Sequence, residues 1–242
     1  MHVIHEDEWL AVVDKPAGLM VHDSALARGE RDFAADRLRE QFGRRIHLAH
    51  RLDRATSGCL VVCFDAAVAR ALGAQFMDRS VAKDYLAVCR GWPEPDQGRI
   101  DHPLDGGPGR PERKPATTDY WRLDTGELPV PAAGFETSRF ALLRMRPLTG
   151  RFRQLRRHLA HLRHPLIGDT SHGDGRRNRI FRAHLGVHRM LLHAWSIGFE
   201  HPAHGRRLSV QAPLDADFAR VLDRFGWSAP AAPVTDPAGT LG

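Results

Sequence analysis

Apolar and polar positions alternate loosely over residues 2–13. Val3, Ile4, Trp9, Leu10, Val12 and Val13 are the apolar set, and Glu6-Asp7-Glu8 is a polar step between them. The pattern predicts two short strands joined by a turn. Asp14-Lys15-Pro16-Ala17-Gly18 reads as a second turn. Residues 31–42 change to helical spacing, with Phe33, Leu38 and Phe42 as anchors among charges. Cys59-Leu60-Val61-Val62-Cys63-Phe64 is an unbroken apolar run of strand length. It predicts a central strand buried on both faces. A helix follows over 66–77 and a strand over 82–89.

From Trp92 to Pro115 the character changes, with six prolines among four glycines, Gly98, Gly106, Gly107 and Gly109. This predicts one long loop over about 92–115. Strands are predicted again over 116–123 and 138–146, separated by a Gly/Pro-rich stretch at 126–134. A helix is predicted over 151–162, strands over 190–199 and 207–211, and a last helix over 214–225. Residues 228–242 carry only Val234 and Leu241 as large apolar side chains, which predicts a disordered tail. Strands and helices without regular βαβ alternation predict an α+β fold on a mixed, mostly antiparallel sheet. The expected organisation is one domain over 1–227.

Composition narrows the class. The 242 residues are 42% hydrophobic and 26% charged, which excludes a disordered chain. No apolar run reaches membrane-spanning length, and the polar, acidic start fits neither a signal nor a transit peptide. Three cysteines are too few for a disulfide scaffold, so a cytoplasmic location is expected. The formal charge of +6 is unevenly spread. Residues 139–182 hold twelve Arg against Asp169 and Asp174, a local balance of +10, so the remainder sums to −4. Guanidinium groups fork onto phosphates and stack on bases, so this block fits a nucleic-acid surface. A solvated basic face is the alternative.

Three groups of residues could carry chemistry. On a helix over 151–162, Phe152, Leu155, Leu159 and Leu162 share a stripe about 80° wide. Arg153 and Arg157 lie opposite, and Arg156 lies at the margin. Arg156 then either meets an anionic partner or snorkels its stem along the core. His158, His161 and His164 form H-x-x-H-x-x-H, but that spacing turns the outer two about 240° apart, a poor metal set. Cys59-x-x-x-Cys63 sits among Val and Leu on a strand, so no metal is expected there either. Asp53 lies in His50-Arg51-Leu52-Asp53-Arg54-Ala55-Thr56-Ser57-Gly58, just before the buried strand. A carboxylate at that place is either a cleft residue or an ordinary loop cap.

The string around Asp53 resembles the catalytic motif of the RluA family of pseudouridine synthases. Asp14-Lys15-Pro16-x-Gly18-x-x-Val21-His22 resembles its first motif, and Lys83-x-Tyr85-x-Ala87-x-x-x-Gly91 its tyrosine strand. Lys114-Pro115-Ala116-x-Thr118-x-Tyr120 resembles a further strand, and Thr149-Gly150-Arg151-x-x-Gln154-Leu155-Arg156-x-His158 the arginine helix. Leu191-Leu192-His193-Ala194 with Phe199-x-His201-Pro202 resembles the last motif. The six occur in family order over about residues 3–212. The segment from His158 to Arg179, with Phe225-Gly226-Trp227, resembles the TruC branch, which modifies uridine 65 in the T-arm stem of tRNA. One departure stands out: the family's usual His between Arg151 and Gln154 is Arg153 here.

The resemblance implies an isomerase of the pseudouridine-synthase fold, without the N-terminal S4 domain of some relatives, that needs no cofactor and no metal. It implies Asp53 as the catalytic carboxylate, Arg156 as its partner and Tyr85 stacked on a flipped-out base. It also implies that Arg51 fills the vacated space in the stem, and that Leu192 and His193 belong to the pocket wall. Leu52, Arg54, Arg151, Arg153 and Arg157 are further RNA-side candidates. His172, Arg176, Arg177 and Arg179 are read as lying in a loop that recognises the shape of the tRNA arm. A monomer acting on tRNA, away from membranes, is the expectation. Ribosomal RNA or another tRNA position is the alternative substrate, and a non-catalytic RNA-binding protein the alternative of another class.

Overall fold

The computed structural model describes residues 1–23, 29, 31–131 and 134–228. The tail predicted over 228–242 lies, apart from Ser228, outside the described residues. In chain order the elements are β1 (His2–Glu6), β2 (Leu10–Lys15), α1 (Ala34–Phe42), β3 (His47–Leu48), β4 (Ser57–Cys63), α2 (Ala66–Met77) and β5 (Ala82–Arg90). There follow β6 (Gln97–Asp101), β7 (Leu104–Asp105), β8 (Arg113–Lys114), β9 (Thr117–Leu128), β10 (Ser138–Pro147) and α3 (Gln154–His161). The chain closes with α4 (Gly175–Leu185), β11 (Leu192–Glu200), β12 (Arg207–Gln211) and α5 (Ala216–Phe225). This is the α+β class that the hydrophobic pattern predicts. No helix among the described residues is long and apolar enough to cross a membrane.

The chain forms two compact units. The first comprises Met1–Lys83 and Ala194–Pro213; the second comprises Asp84–His193 and the segment that starts at Leu214.

In the first unit β1, β2, β4 and β11 lie side by side, with β12 beside β11 and β3 beside β4. The β1–β2, β2–β4 and β11–β12 pairs are antiparallel. All seven residues of β4 are buried, as its apolar run predicts. Leu10 and Val12 of β2 and Cys59, Val61 and Cys63 of β4 pack with Val68 and Leu72 of α2. Asp65 starts α2 by accepting the backbone N–H groups of Ala67 and Val68. At the head of β4 the backbone must come close to β11. A Cβ on Gly58, whose φ is 105°, would lie 2.2 Å from the Ala194 carbonyl oxygen. The three cysteines are buried and free, and burial pushes each thiol up to about 12, which keeps them inert.

In the second unit β5 pairs with β10, β10 with β9 and β9 with β6, all antiparallel. Two expectations are corrected here. Residues 92–115 are not one long loop, because they contain β6, β7 and β8. Gln97–Asp101 holds no proline, buries Ile100, and lets Arg99 fork onto Asp119 of β9 at 2.6 and 2.9 Å. Residues 175–179 are not loop either, since they open α4. Asp174 caps that helix by accepting the N–H groups of Arg176 and Arg177, and Arg177, Phe181 and Leu185 bury one face at i, i+4, i+8 spacing. Strand β9 also runs into the predicted break at 126–134. Gly126 stays within it because the Phe225 ring sits where its side chain would be, 2.4 Å from an ideal Cβ. Phe225 stacks on Trp227, whose indole N–H bonds the Thr125 carbonyl at 3.0 Å.

The start of α3 is fixed by a closed set of polar contacts. Gln154 donates to the Thr117 carbonyl and to Thr118 Oγ1, both at 2.9 Å. Its own Oε1 accepts from the Thr149 hydroxyl and the Arg151 N–H. His158, one turn on, is fully buried between Thr118 Oγ1 at 2.9 Å and the His102 carbonyl at 3.1 Å. Burial pushes its imidazole down to about 4. An unfolded His158 takes a proton near 6.5 while the folded one does not, so stability is full above pH 6.5 and falls as pH drops towards 4. The expected loss from this group is about 1.4 kcal/mol per pH unit in that window. Urea unfolding of the wild type and His158→Asn across the window checks it: the variant should show the shallower pH dependence, and equal slopes would refute the assignment.

Candidate active site

The first unit holds Arg51, Leu52, Asp53 and Arg54 on the loop that leads into β4. Its entry is pinned by His50, whose Nε2 accepts the Val61 N–H at 2.9 Å and whose ring stacks on Phe76. Burial, with the charge of Lys83 added, pushes the His50 imidazole down to about 3, so it is a neutral acceptor. Leu52 plugs the loop into the core, and the Thr56 N–H closes a turn on the Asp53 carbonyl at 3.1 Å.

The other side of the loop is laced to the 15–19 turn. The Gly18 N–H donates to the Arg54 carbonyl at 2.8 Å, and Arg54 Nε returns to the Gly18 carbonyl at 2.9 Å. Beneath them lies Lys15, fully buried. Its ammonium donates to the carbonyls of Pro16 at 2.7 Å, Leu19 at 2.8 Å and Arg54 at 3.3 Å. Burying an ammonium is costly unless such acceptors surround it, so Lys15 ties two sequence motifs into one rigid ledge. Asp53 sits on that ledge half-buried, and Arg51 is exposed. Burial, and after it the Arg51 charge, pulls the imidazole of His22 down, in line with a neutral ring beside a cation.

The second unit holds the other candidates. Tyr85 lies half-buried on β5, opposite Met145 of β10. Its neighbour Asp84 is buried and accepts from Arg144 Nε at 2.9 Å and from Arg146 Nη2 at 2.9 Å, which locks β5 to β10. Arg156 is buried, deeper than the helix margin suggests. It has an anionic partner, Asp169: Nε to Oδ2 at 2.7 Å and Nη2 to Oδ1 at 2.8 Å. Asp169 Oδ1 also accepts the N–H groups of Ser171 and His172. Burial alone would raise this carboxyl; the Arg156 fork and the His172 and Ser171 amides outweigh it and hold the group below the ordinary carboxylate range.

The remaining arginines divide. Arg157 forks onto the carbonyl and carboxylate of Asp105 at 3.0 and 2.8 Å, and Arg151 donates to the Pro115 carbonyl at 3.0 Å. Arg153 adopts the left-handed conformation at φ 51° and lays its guanidinium over the Phe152 ring at 4.8 Å. Such a backbone is uncommon for a residue with a side chain. His172 is half-buried, and its Nε2 has no hydrogen-bond partner among the described residues. Arg176 and Arg179 are exposed on α4, but Arg177 points into the core, which removes it from the RNA-facing set. Leu192 and His193 are buried at the start of β11, with His193 beside the Phe218 ring.

The H-x-x-H-x-x-H histidines go separate ways: His158 bonds Thr118, His161 stacks on His102, and His164 Nδ1 donates to the Arg90 carbonyl. Among the described residues one other group, Asp7, His201 and His204, brings ligand-type atoms within 4.8 Å of one another. Its hydrogen bonds disfavour a metal. Nδ1 of His201 accepts the Ala203 N–H and Nδ1 of His204 accepts the Arg206 N–H, which leaves the ring proton on Nε2 in each. His201 Nε2 then donates to Asp7 Oδ2 at 3.0 Å.

Lys15, His50, Asp84 and Asp169 are supporting residues whose roles the sequence reading does not name. The signal for Lys15 was present, as one of only three lysines in the chain. Breaking the Arg156–Asp169 pair should be expensive, because it strands a buried charge. Arg156→Met is expected to lower the unfolding free energy by about 3–5 kcal/mol, and Arg156→Met with Asp169→Leu to recover part of the loss. Urea denaturation measures both, and a single variant as stable as wild type would contradict the pairing.

Comparison with known proteins bears on the family of the chain. A family model described as RNA pseudouridylate synthase matches residues 9–161. The chain is similar to tRNA pseudouridine synthase C of Vibrio cholerae serotype O1, at 40% identity over 236 residues, covering 94% of this chain and 96% of the relative. The protein of the same name from Salmonella typhi is 41% identical over 241 residues, covering 94% and 90%. Among solved structures, Human RNA Pseudouridylate Synthase Domain Containing 4 superimposes with a TM-score of 0.73 at 26% identity, over 95% of both chains. Human RNA Pseudouridylate Synthase Domain Containing 1 gives 0.68 at 27%, over 88% and 82%. A ledge that presents Asp53, a tyrosine strand and an arginine helix in this order along a chain so matched lead to one assignment: the chain belongs to the RNA pseudouridylate synthase family.

Proposed function

We propose that this protein converts uridine 65 in the T-arm stem of tRNA to pseudouridine, with the Asp53 carboxylate as the catalytic group. The observation that carries the reading is the ledge itself: a half-buried carboxylate on a loop held from both sides by Lys15, Arg54 and His50. Relatives named tRNA pseudouridine synthase C, similar over 94% of the chain, support the choice of tRNA.

The reaction breaks the bond between uracil N1 and ribose C1′, turns the base, and joins its C5 to C1′. Every atom of the substrate is kept, and the C5 proton leaves as N1 gains one, so the balance needs no redox partner or activated donor. What the protein must supply is a positioned carboxylate beside the ribose, a second group to manage the C5 proton, and access to the base. Asp53 fills the first role, either by adding to carbon or by taking a proton. Tyr85 takes the second and stacks on the base, and Arg156 serves as the cationic counterpart of the carboxylate. Swinging a stem uridine out of its stack costs a few kcal/mol, and in this reading Arg51, exposed at the rim of the ledge, offsets that cost by occupying the vacated space.

The test is carbodiimide mapping of pseudouridine in unmodified tRNA transcripts and ribosomal RNA incubated with purified protein. Pseudouridine at position 65 of tRNA is the expected product; product only in ribosomal RNA or at another tRNA position would overturn the substrate assignment. Asp53→Asn should abolish turnover, by at least about 10³-fold, while tRNA affinity stays within about threefold. Retained turnover would refute the role of Asp53, and lost binding with lost turnover would reduce it to a structural residue.

A further inference from the structure

Helix α4 carries a charge pattern that the reaction itself does not need. At about 100° per residue, its buried face is set by Arg177, Phe181 and Leu185. Arg176, Arg179 and Arg182 fall on the opposite side within an arc of about 120°. All three are exposed, and among the described residues none of their guanidinium groups has a hydrogen bond or ion pair. This sets them apart from Arg90, Arg99, Arg144, Arg146, Arg156, Arg157 and Arg189, each of which meets a carboxylate in this unit. No acidic residue occurs between Asp174 and Glu200, and Asp174 is itself occupied by Arg90 at 2.9 Å. Holding three like charges on one helix face is unfavourable unless an anion shares them.

The helix is also held rigidly where it matters. Asn178 accepts the Gly168 N–H at 2.8 Å and donates to the Asp169 carbonyl at 3.0 Å. Asp169 is the residue that Arg156 grips. The stripe is therefore fixed to the arginine helix by two short links and not carried on a free loop.

Resting on the reading of this chain as a tRNA-modifying enzyme, we infer that the Arg176–Arg179–Arg182 face of α4 is a phosphate-tracking surface for the RNA strand of the substrate. The three side chains advance about 4.5 Å along the axis per step, about 9 Å in all, enough to meet two or three successive phosphates. Guanidinium forks suit phosphate oxygens, and a fixed helix face sets the register of the RNA without reading bases. Arg182 is a contact that the sequence motifs do not single out, and Arg177 is excluded by its burial.

The experiment compares wild type with the triple variant Arg176→Gln, Arg179→Gln, Arg182→Gln, with the triple Lys variant, and with Arg70→Gln on α2 as an exposed control. Gln and Lys match Arg in helix propensity, and the positions are exposed, so the helix is retained. Binding to an unmodified tRNA transcript is measured over a salt series. The Gln variant should lose about tenfold or more in affinity at about 0.1 M salt, and its log–log salt slope should be shallower by about 2 to 3. The Lys variant and Arg70→Gln should keep the wild-type slope, and turnover of Arg70→Gln should stay within about twofold of wild type. An unchanged slope in the Gln variant overturns the inference, as does a Lys variant that behaves like it. An unchanged slope accompanied by lost adsorption to phosphatidylglycerol vesicles would assign the face to an anionic membrane instead. Absence of pseudouridine formation by the wild type would sink the proposed function alone, because the slopes are read from binding.

Discussion

The ion pair between Arg156 and Asp169 is the constraint on which the joining of α3 to α4 in the second unit depends. Asp169 takes two bonds from the guanidinium and two from backbone amides, and its own carbonyl receives Asn178 of α4. One residue thus joins α3, the 169–173 turn and the start of α4. Its ionisation is protected by donors that outweigh the penalty of burial. The same contact orients Arg156, because a planar guanidinium forked on one edge has a defined direction for the other. The orientation of Arg156 is therefore set by Asp169.

The first unit solves the corresponding problem with backbone acceptors at the ledge's base. A buried ammonium, Lys15, is surrounded by three carbonyl oxygens, and those carbonyls belong to the turn and the loop that must be held together. The backbone pair between Gly18 and Arg54 repeats the link one layer out. Below Asp53 the approach of β4 to the Ala194 backbone demands glycine at position 58. The small Thr-Ser-Gly turn after Asp53 is therefore a packing requirement.

How far this was legible in the sequence depended on the kind of signal. The helix over 66–77 is α2 to the residue, because apolar spacing and an Asp cap coincide there. The buried strand at 59–64 was legible because a run of Cys, Leu and Val at that length has few other outcomes. Helix α4 was not, since its apolar anchors Phe181 and Leu185 are diluted by arginines and preceded by Gly173 and Gly175. Strand β6 was hidden by flanking prolines, although it holds none itself. At the site, Asp53 was marked by its motif; Asp169 fell within the TruC-like segment, but its pairing with Arg156 was hidden, for that partner lies thirteen residues earlier on another element. Pattern reveals which residues face a core; it does not reveal which charge meets which.

The arginine block makes the same point about electrostatics. Counted along the chain, residues 139–182 carry a balance of +10, twelve Arg against two acidic residues, as though they formed one basic surface. In the fold, acidic residues from outside the block reach in: Glu127 meets Arg139, Asp84 meets Arg144 and Arg146, and Asp105 meets Arg157. Asp169 takes Arg156, and burial takes Arg177. Half of the block is thereby spent on holding strands and helices together, where guanidinium is favoured because its fork fits carboxylates as well as phosphates. The charge left for a polyanion is the exposed remainder, and on α4 that remainder is concentrated on one face of one anchored helix. Counting every arginine of the block as an RNA contact would overstate its share of the salt slope about twofold, because a guanidinium already held by a carboxylate releases no counterion from RNA.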